Sequence, residues 1–308
     1  MHRQRTVKTA VSCTGIGLHS GKLVRLGIKP APFDHGIVFE RVDLAGRPRI
    51  KVSSGLIHSS DHATTIGTNG VRVSTVEHLM AAFYGLGIDN ALVEINADET
   101  PIMDGSAAPF VFLLKNAGVR IQPRSKKFYI VKKSFKVADG DRWIKVEPSK
   151  KLRVSFSIDF AHPLIEKQNY SFKFSVANFE REVSRARTFG FLHEVEMLKK
   201  RGLALGGNLN NAIVVGRFRV LNEEGLRFPD EFVRHKILDN MGDLALLGAP
   251  LIAHLHAHKS GHALNHRVVK HIVEHPETVK VVSYDESFET RDVHEALPAW
   301  KLPEWAFA

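Results

Sequence analysis

The sequence predicts an α+β protein with two similarly built halves. Short segments of alternating apolar and polar residues, separated by Gly and Pro, are typical of strands joined by tight turns. Between them lie segments with apolar residues at helical spacing. In each half, a helix that carries a histidine, His78 or His235, ends at glycine and is followed by an apolar strand. This weak internal repeat indicates two related units, each of which supplies one histidine.

The first 60 residues have the pattern of short strands, for example at 23–28 and 37–40, which are separated by prolines. The glycine-rich segment 15–22, GIGLHSGK, is close to a phosphate-binding loop. It differs by one residue from the G-x-x-x-x-G-K spacing, and by one from the dinucleotide-binding pattern. We therefore interpret it as a hairpin that carries an exposed His19.

The first helix is predicted to begin at Ser74 or Thr75 and to end at Gly85, after a strand that ends near residue 73. Ser74 and Glu77 fit the S-x-x-E capping box, in which Glu77 would fold back on the start of the helix. His78 follows at the head of the helix, where a side chain can point out of its domain. Two further elements are predicted next, a strand at 88–97 and a second helix within 99–114.

A polar stretch with a proline, residues 122–127, marks the predicted boundary between two domains, 1–124 and 125–308. After it, residues 127–160 alternate like hairpin strands, with Asp139-Gly140 as the tightest turn signal. The remaining predicted elements are a short helix at 193–202, a strand within 203–215, a strand at 251–258, and a helix that follows the loop 259–266 and continues through residue 273.

The segment 229–248, PDEFVRHKILDNMGDLALLG, predicts a further helix. His235, Asp239 and Asp243 are four residues apart, so their side chains lie along one face. The opposite arc is apolar and predicts packing on a core: Val233, Ile237, Met241 and Leu244. An imidazole and a carboxylate one turn apart can hold the same metal ion. A solvated polar face that contains a histidine explains the same spacing.

The composition, with 44% hydrophobic and 25% charged residues in 308, is that of a soluble globular protein long enough for two domains. The single cysteine, Cys13, excludes an intrachain disulfide and a Cys-ligated structural zinc site. The charged start leads into no apolar segment, and the most apolar run, 244–257, is too short to span a bilayer. We therefore expect a cytoplasmic protein.

The formal net charge of +10 favours an anionic partner. Lys and Arg occur in small scattered groups, and no nucleic-acid-binding motif accompanies them, so we expect no nucleic-acid partner. A phosphorylated substrate is compatible with this charge, and so is peripheral contact with an anionic membrane surface.

The candidate ligands form a His-His-Asp set, with His235 and Asp239 from one helix and His78 from the other. Three protein ligands with an open fourth position are typical of catalytic zinc sites. Two histidines and one carboxylate also describe ferrous oxygenases. A non-catalytic protein that binds carbohydrate or nucleic acid through its positive charge is a third alternative. The residues alone leave these alternatives open.

In the hydrolytic interpretation, the metal lowers the pKa of a bound water from 15.7 to roughly 7. Glu77 would accept the proton of that water, and His262, in a glycine-bordered loop, would stabilise the oxyanion or protonate the leaving group. Asp243 could orient His262 and keep it protonated.

The sequence also resembles, over nearly its whole length, the zinc-dependent UDP-3-O-acyl-N-acetylglucosamine deacetylase family of lipid A biosynthesis. Six segments match in order: TGIGLHSGK (14–22), STVEHLMAAFYGLGIDN (74–90), PIMDGSAAPF (101–110), SRARTFGF (184–191), LNEEGLRFPDEFVRHKILDNMGDL (221–244) and KSGHALN (259–265). The resemblance implies hydrolysis of the N-acetyl group with release of acetate, a Zn²⁺ cofactor, and a UDP-sugar lipid substrate. It also implies two α+β domains whose helix layers meet at the zinc site. We expect a monomer.

The resemblance further implies roles for individual residues. The implied catalytic roles are zinc binding by His78, His235 and Asp239, proton transfer by Glu77 and His262, orientation of His262 by Asp243, and assistance to the oxyanion by Thr188. The implied substrate contacts are Lys236 and Phe189, then Phe160 and Lys259 for the uridine and diphosphate, with Arg142 where the family usually has lysine. Four residues correspond to the apolar passage for the acyl chain, although ordinary core packing explains each of them too: Val195, Ala204, Leu209 and Val214.

Overall fold

The computed structural model describes residues 3–59 and 62–283. The first half contains β1 (Arg3–Val7), β2 (Val11–Ile16), β3 (Leu23–Pro30), β4 (Ile37–Arg41), β5 (Arg49–Lys51), β6 (Ile57–Ser59), β7 (Thr65–Thr68), β8 (Val71–Val73), α1 (Glu77–Leu86), β9 (Ala91–Ile95), α2 (Ala108–Ala117) and β10 (Val119–Ser125). The second half contains β11 (Lys127–Val131), β12 (Phe135–Asp139), β13 (Arg142–Glu147), β14 (Arg153–Asp159), β15 (Lys167–Lys173), α3 (Val176–Asn178), β16 (Phe189–Phe191), α4 (Leu192–Lys200), β17 (Ile213–Val215), α5 (Glu231–Leu244), β18 (Leu251–Ile252), β19 (His254–His258), α6 (His262–Glu274) and β20 (Val279–Ser283).

Each half contains a five-stranded sheet, and the two sheets have the same topology. Their strand orders are β2-β3-β9-β4-β5 and β12-β13-β19-β14-β15. In each sheet the central strand, β9 or β19, runs antiparallel to the hairpin on one side and parallel to the first strand of the hairpin on the other. The central strand also follows the histidine-bearing helix in each half. The predicted α+β class with two similarly built halves is therefore confirmed.

The helices α1 and α5 pack directly against each other and join the two halves. Every residue of α1 except Tyr84 is buried, as expected for a helix that is covered on several sides. At the crossing point, a Cβ added to Gly242 of α5 would overlap the backbone of Glu77. Only glycine permits so close an approach. The helix layers of the two halves therefore face each other, as the resemblance implied.

The helix α5 confirms the prediction for residues 229–248. It continues after Leu244 as a 3₁₀ turn, and Gly248, with φ of 71°, ends it. The predicted apolar arc is fully buried: Val233, Ile237, Met241 and Leu244. The opposite face is buried as well, including His235, Asp239 and Asp243. A solvated polar face is therefore excluded, and these groups need polar or ionic partners inside the protein.

Three predicted elements differ from the structure, and one of them is α6, which begins at His262 within the predicted loop 259–266. The first helix begins at Glu77, passes through Gly85, and ends where Gly87 adopts a φ of 67°. A Cβ added to Gly85 would overlap the ring of Phe179, so this glycine makes room for a side chain from the second half. The predicted strand 251–258 is two strands, β18 and β19, which belong to different sheets.

The polar stretch at the predicted boundary is packed into the protein. Lys126, between β10 and β11, is 7% exposed, and its Nζ lies 3.1 Å from Oδ2 of Asp89 and donates to the carbonyl of Gly87. Burial lowers the pKa of Lys126, and Asp89 opposes that shift. A buried ion pair thus joins this stretch to the first half, and the division at 124/125 stays a prediction. Within residues 3–59 and 62–283, no helix is long and apolar enough to cross a membrane.

Candidate metal centre and active site

Three buried side chains meet where α1 and α5 cross. His78 is the second residue of α1, and His235 and Asp239 lie one turn apart on α5. Oδ1 of Asp239 lies 3.2 Å from Nε2 of His235 and 3.7 Å from Nε2 of His78. In the described part of the chain, these are the three His, Cys, Asp or Glu residues whose ligand atoms all lie within 4.8 Å of one another.

This geometry fits a divalent metal ion. Ligand atoms placed tetrahedrally at roughly 2.0–2.1 Å from an ion are roughly 3.3 Å apart, which is close to the 3.2 Å and 3.7 Å observed here. Two imidazole nitrogens and one carboxylate oxygen leave the fourth tetrahedral position for water or substrate. The same donors also suit ferrous iron, so they do not by themselves select the metal.

The orientation of the His235 ring is fixed by a backbone carbonyl. Nδ1 of His235 lies 3.0 Å from the carbonyl oxygen of Ala186, which can only accept a hydrogen bond, so Nδ1 carries the proton. The lone pair of Nε2 is then free to bind a metal. The neighbouring Arg187 is 2% exposed, and both its backbone N–H and its Nε donate to Oε1 of Glu231 at 2.9 Å. This buried ion pair holds the carbonyl of Ala186 in place.

Asp239 is held as a carboxylate. Burial alone would raise its pKa, but His235 and Lys236 outweigh burial and hold the pKa of Asp239 well below its ordinary value. Nζ of Lys236 donates to Oδ2 of Asp239 at 2.9 Å. The other oxygen, Oδ1, faces the two imidazoles. One carboxylate oxygen is thus occupied by lysine and the other is available as a ligand.

Glu77 lies beside this centre and does not cap its helix. Its Oε2 accepts a hydrogen bond from the backbone N–H of Thr64 at 3.1 Å, and its Oε1 lies 3.9 Å from Nε2 of His262. No side chain caps the start of α1, so the capping-box alternative is wrong. Burial raises the pKa of Glu77, although His262 and His78 oppose this shift. A buried carboxylate with a raised pKa is suited to accept a proton near neutral pH.

His262 and Asp243 form a buried charged pair. Nδ1 of His262 donates to Oδ2 of Asp243 at 2.8 Å. Burial alone would lower the pKa of His262, but Asp243 and then Glu77 outweigh it and raise the pKa to about 10. For Asp243, burial raises the pKa, and the two histidines His262 and His266 more than reverse this, so its pKa lies well below the ordinary value. His262 is the first residue of α6, whereas the sequence placed it in a loop.

Three further residues surround Asp243, and the sequence analysis missed all of them. The hydroxyl of Thr64 donates to Oδ1 of Asp243 at 2.5 Å, and Nδ2 of Asn265 donates to Oδ2 at 2.8 Å. Nε2 of His266 lies 3.2 Å from Oδ1 and 3.0 Å from the hydroxyl of Thr64. Asn265 and His266 follow His262 at helical spacing on α6, which was an available signal. Thr64 is 179 residues from Asp243 along the chain, and no local pattern indicates it.

The backbone of Thr188 is fixed by hydrogen bonds and lies near the candidate metal ligand His235. Its N–H donates to the carbonyl of Gly105 at 2.7 Å, and its carbonyl accepts from the N–H of Ile213 at 2.8 Å. It is half-buried and lies two residues after Ala186, whose carbonyl binds His235. The backbone from which the Thr188 hydroxyl projects is therefore tied to both halves of the protein.

Aromatic side chains form one wall beside the centre. The ring of Phe189 lies 6.4 Å from that of His235 and 5.8 Å from that of Phe160, between ring centroids. Nζ of Lys236 lies 5.7 Å from the centroid of Phe189. The structure thus brings together Lys236, Phe189 and Phe160, which the sequence assigned to substrate.

The two remaining polar candidates lie at the exposed end of the second sheet. Nζ of Lys259 donates to Oδ2 of Asp141 at 3.0 Å and lies 3.4 Å from Oδ2 of Asp159. Hydrogen bonds to these carboxylates raise the pKa of Lys259. Arg142 is exposed and pairs with Asp139 across the hairpin turn. Arg142 follows Asp141, the hydrogen-bond partner of Lys259, in the chain, so Arg142 and Lys259 lie in the same region.

The apolar candidates lie on one unit, the parallel strands β16 and β17 with α4 between them. Ala204 and Val214 are 7% and 9% exposed, Val195 is half-buried, and Leu209 is 42% exposed. No residue of α4 is fully buried. Ordinary core packing therefore accounts for Ala204 and Val214 and leaves Val195 and Leu209 with unburied apolar surface.

The glycine-rich segment 15–22 packs against this unit. It is a hairpin between β2 and β3, as predicted, but His19 is half-buried, which corrects its predicted exposure. The carboxylate of Glu99 accepts the backbone N–H groups of His19 and Ser20, both at 2.8 Å, and so fixes the turn. The N–H of Gly206 donates to the carbonyl of Leu18 at 3.0 Å. The segment thus joins the two halves of the protein.

Comparisons with known proteins agree with one another. Residues 4–274 match the family described as UDP-3-O-acyl N-acetylglycosamine deacetylase. The chain is 52% identical over 288 residues to a protein of Acidithiobacillus ferrooxidans, with 93% of this chain and 95% of the relative covered. It is 51% identical over 281 residues to one of Myxococcus xanthus (91% and 90% covered), and 50% identical over 298 residues to one of Chromobacterium violaceum (96% and 98% covered). Each relative is named UDP-3-O-acyl-N-acetylglucosamine deacetylase.

Proposed function

The chain belongs to the UDP-3-O-acyl N-acetylglycosamine deacetylase family, and we propose that it hydrolyses the N-acetyl group of UDP-3-O-acyl-N-acetylglucosamine, releasing acetate in the committed step of lipid A biosynthesis. The observation that carries this proposal is the His78–His235–Asp239 set, with Glu77 and His262 beside it. The enzyme acts as a monomer in the cytoplasm, with peripheral contact to an anionic membrane surface.

The metal is Zn²⁺, held by His78, His235 and Asp239. The supporting observations are the ligand separations of 3.2 Å and 3.7 Å and the protonated Nδ1 of His235, which leaves Nε2 to bind. Bound there, the ion supplies Lewis-acid polarisation of a carbonyl and lowers the pKa of a water to roughly 7.

The proton transfers belong to Glu77 and His262. Glu77 accepts the proton of the attacking water through the carboxylate that burial makes more basic. Asp243 and then Glu77 outweigh burial and raise the pKa of His262, which favours a proton on both of its ring nitrogens. Nδ1–H donates to Asp243, so the Nε2–H is the one available to the oxyanion or the leaving nitrogen. The hydroxyl of Thr188 assists the same oxyanion.

The remaining candidates bind the substrate. Lys236 lies within reach of both Asp239 and the aromatic wall of Phe189 and Phe160, against which a sugar or uracil ring can stack. Lys259 and Arg142 bind the diphosphate. When the diphosphate binds, its oxygens replace Asp141 and Asp159 as partners of the Lys259 ammonium group. The acyl chain covers the unburied apolar surface of the β16–α4–β17 unit at Val195 and Leu209, and the nearly buried Ala204 and Val214 belong to the same unit.

The test combines metal analysis with an acetate-release assay on the acylated UDP-sugar. Zinc should be present at one ion per chain, acetate release should stop after chelation, and added Zn²⁺ should restore it. The matched variant is Glu77→Gln, which keeps the shape of the side chain and removes its basicity. It should retain zinc and lose most activity. Oxygen consumption with iron as the purified metal, or full activity after complete chelation, would contradict the proposal.

A further inference from the structure

One tight turn presents an aromatic ring to solvent between two arginines. After β17, the N–H of Gly216 donates to the carbonyl of Arg219 at 3.0 Å, and Val220 returns to form a bridge with Val215. Residues 217–219, Arg-Phe-Arg, are all exposed at the tip. Phe218 is 78% exposed, and the guanidinium of Arg217 lies 5.1 Å from the centre of its ring. A single exposed apolar residue is common on proteins, so Phe218 alone does not indicate a binding surface.

The helix α4 begins beside this turn. The strands β16 and β17 are parallel, and Phe191 pairs with Val215 at their carboxyl ends. The helix α4, which begins at Leu192, and the turn that carries Phe218 therefore start at the same end of this small sheet. Adjacent strands are about 4.8 Å apart, so the start of α4 and the start of the turn are neighbours. Leu192 and Met197 of α4 are 41% and 54% exposed. The start of the helix and the turn therefore lie side by side, and we call residues 192–201 and 216–219 together the α4–turn surface.

The excess of positive charge on this surface favours an anionic partner. Residues 192–219 carry five Lys or Arg side chains, at 199, 200, 201, 217 and 219, against two carboxylates, Glu194 and Glu196. Apolar side chains that protrude among cations are typical of elements that lie in the interface of an anionic bilayer. The aliphatic stems of Arg and Lys can lie along the acyl region while their charged ends contact phosphate. A neutral apolar protein partner would leave these cations without counter-charges.

We propose that the α4–turn surface docks on the headgroup region of an anionic membrane, with Phe218 inserted and Arg217 and Arg219 on lipid phosphates. The inference rests on the proposed function, because the same unit, β16–α4–β17, holds the proposed acyl-chain residues. Docking at this surface would place the acyl binding surface against the bilayer that holds the acyl chain of the substrate. Transfer of the lipid into the site would then avoid exposing the chain to water.

The test measures binding of the full-length, zinc-loaded protein to vesicles. One set contains phosphatidylglycerol and phosphatidylethanolamine, and the other contains phosphatidylcholine alone. The protein should sediment with the anionic vesicles only, and high salt should release it. Phe218→Ala, and separately Arg217→Gln with Arg219→Gln, should weaken this binding at least about threefold. The matched control is Phe112→Ala, which removes an aromatic ring of 68% exposure on α2 in the first half and should leave binding unchanged.

Acetate release from a water-soluble, short-chain analogue separates this inference from the proposed function. Phe218→Ala should hydrolyse that analogue at the normal rate and lose activity only on substrate presented in vesicles. Absence of vesicle binding by the unaltered protein, or equal binding by Phe218→Ala and Phe112→Ala, would overturn the docking proposal even if the soluble analogue is hydrolysed. If the unaltered protein does not hydrolyse the soluble analogue, the proposed function is overturned instead.

Discussion

Replacing Asp243 by asparagine tests how the imidazole of His262 obtains its charge. Asp243 is fully buried, and its Oδ2 accepts the proton-bearing Nδ1 of His262 at 2.8 Å. Asparagine keeps the size of the side chain and one carbonyl oxygen but removes the negative charge. The substitution therefore changes the electrostatics of His262 more than its packing.

The expected change in the pKa of His262 follows from this contact. Burial opposes the charge of His262, yet the surrounding carboxylates raise its pKa from 6.5 to about 10. At about 1.36 kcal/mol per pKa unit, that rise corresponds to roughly 5 kcal/mol in favour of the imidazolium. Asp243 is the closest of these carboxylates, while Glu77 lies 3.9 Å away. Without Asp243, we expect the pKa of His262 to fall by at least about 2 units.

The sign of the stability change follows from the same shift. The folded pKa of His262 lies above its unfolded value of 6.5, so its pairing with Asp243 contributes stability that is fully present below pH 6.5. That contribution is lost as the pH rises through about 10. The folded pKa of Asp243 is lowered, so its contribution is lost as the pH falls below its unfolded value of 3.8. Asp243→Asn should therefore destabilise the protein most between about pH 4 and pH 6.5, and least above pH 10.

The direct assay is an NMR titration of histidines labelled with ¹³C, with the His262 signal assigned from its absence in His262→Gln. The basic limb of the pH profile for acetate release should move to lower pH together with the measured pKa. His266→Gln is the matched control, because it removes the second imidazole near Asp243 and keeps the carboxylate charge. A His262 pKa in Asp243→Asn within about half a unit of the original value would refute the reasoning.

Three further predictions concern single residues. Glu77→Ala should lower acetate release by about 10²- to 10⁴-fold while zinc content, measured by atomic emission, stays at one ion per chain. Thr188→Ala should lower kcat by roughly 10²- to 10³-fold, the effect of one lost oxyanion donor, with an unchanged melting temperature. Gly242→Ala should lower both the melting temperature and the zinc affinity, because its Cβ would overlap the backbone of Glu77, whereas Gly55→Ala, which meets nothing within 4 Å, should change neither. Equal effects of the two glycine substitutions would contradict the close crossing of α1 and α5.

Local sequence patterns predicted the elements that carry the site. The four-residue spacing of His235, Asp239 and Asp243 on α5 depends only on helix geometry, and the buried apolar arc opposite them confirms it. The repeat of a histidine-bearing helix before an apolar strand is likewise a local pattern, and it corresponds to the two equivalent sheets. The sequence therefore predicted the features that depend only on residues close together in the chain.

The contacts that tune the site depend on tertiary packing and could not be predicted in this way. Ser74 and Glu77 match a capping box, yet the carboxylate turns to the backbone of Thr64, because the crossing with α5 buries the start of α1. Gly85 matches a helix end, yet it makes room for Phe179. In both cases a residue type that usually caps or ends its own helix instead contacts a residue outside that helix. Neither residue spacing nor helix propensity predicts such a contact.

The repeated topology explains why the centre lies where it does. α1 and α5 precede the central strands of two sheets that have the same order, so they are equivalent elements of the two halves. They cross where Gly242, near the C-terminal end of α5, contacts Glu77 in the first turn of α1, and one imidazole from each half faces the carboxylate of Asp239. The proposed proton-transfer groups also come from both halves: Glu77 precedes His78 on α1, and His262 on α6 pairs with Asp243, which lies one turn beyond Asp239 on α5. The candidate metal centre therefore depends on the contact between the halves, and neither half alone contains all of the proposed ligands or all of the proposed proton-transfer groups.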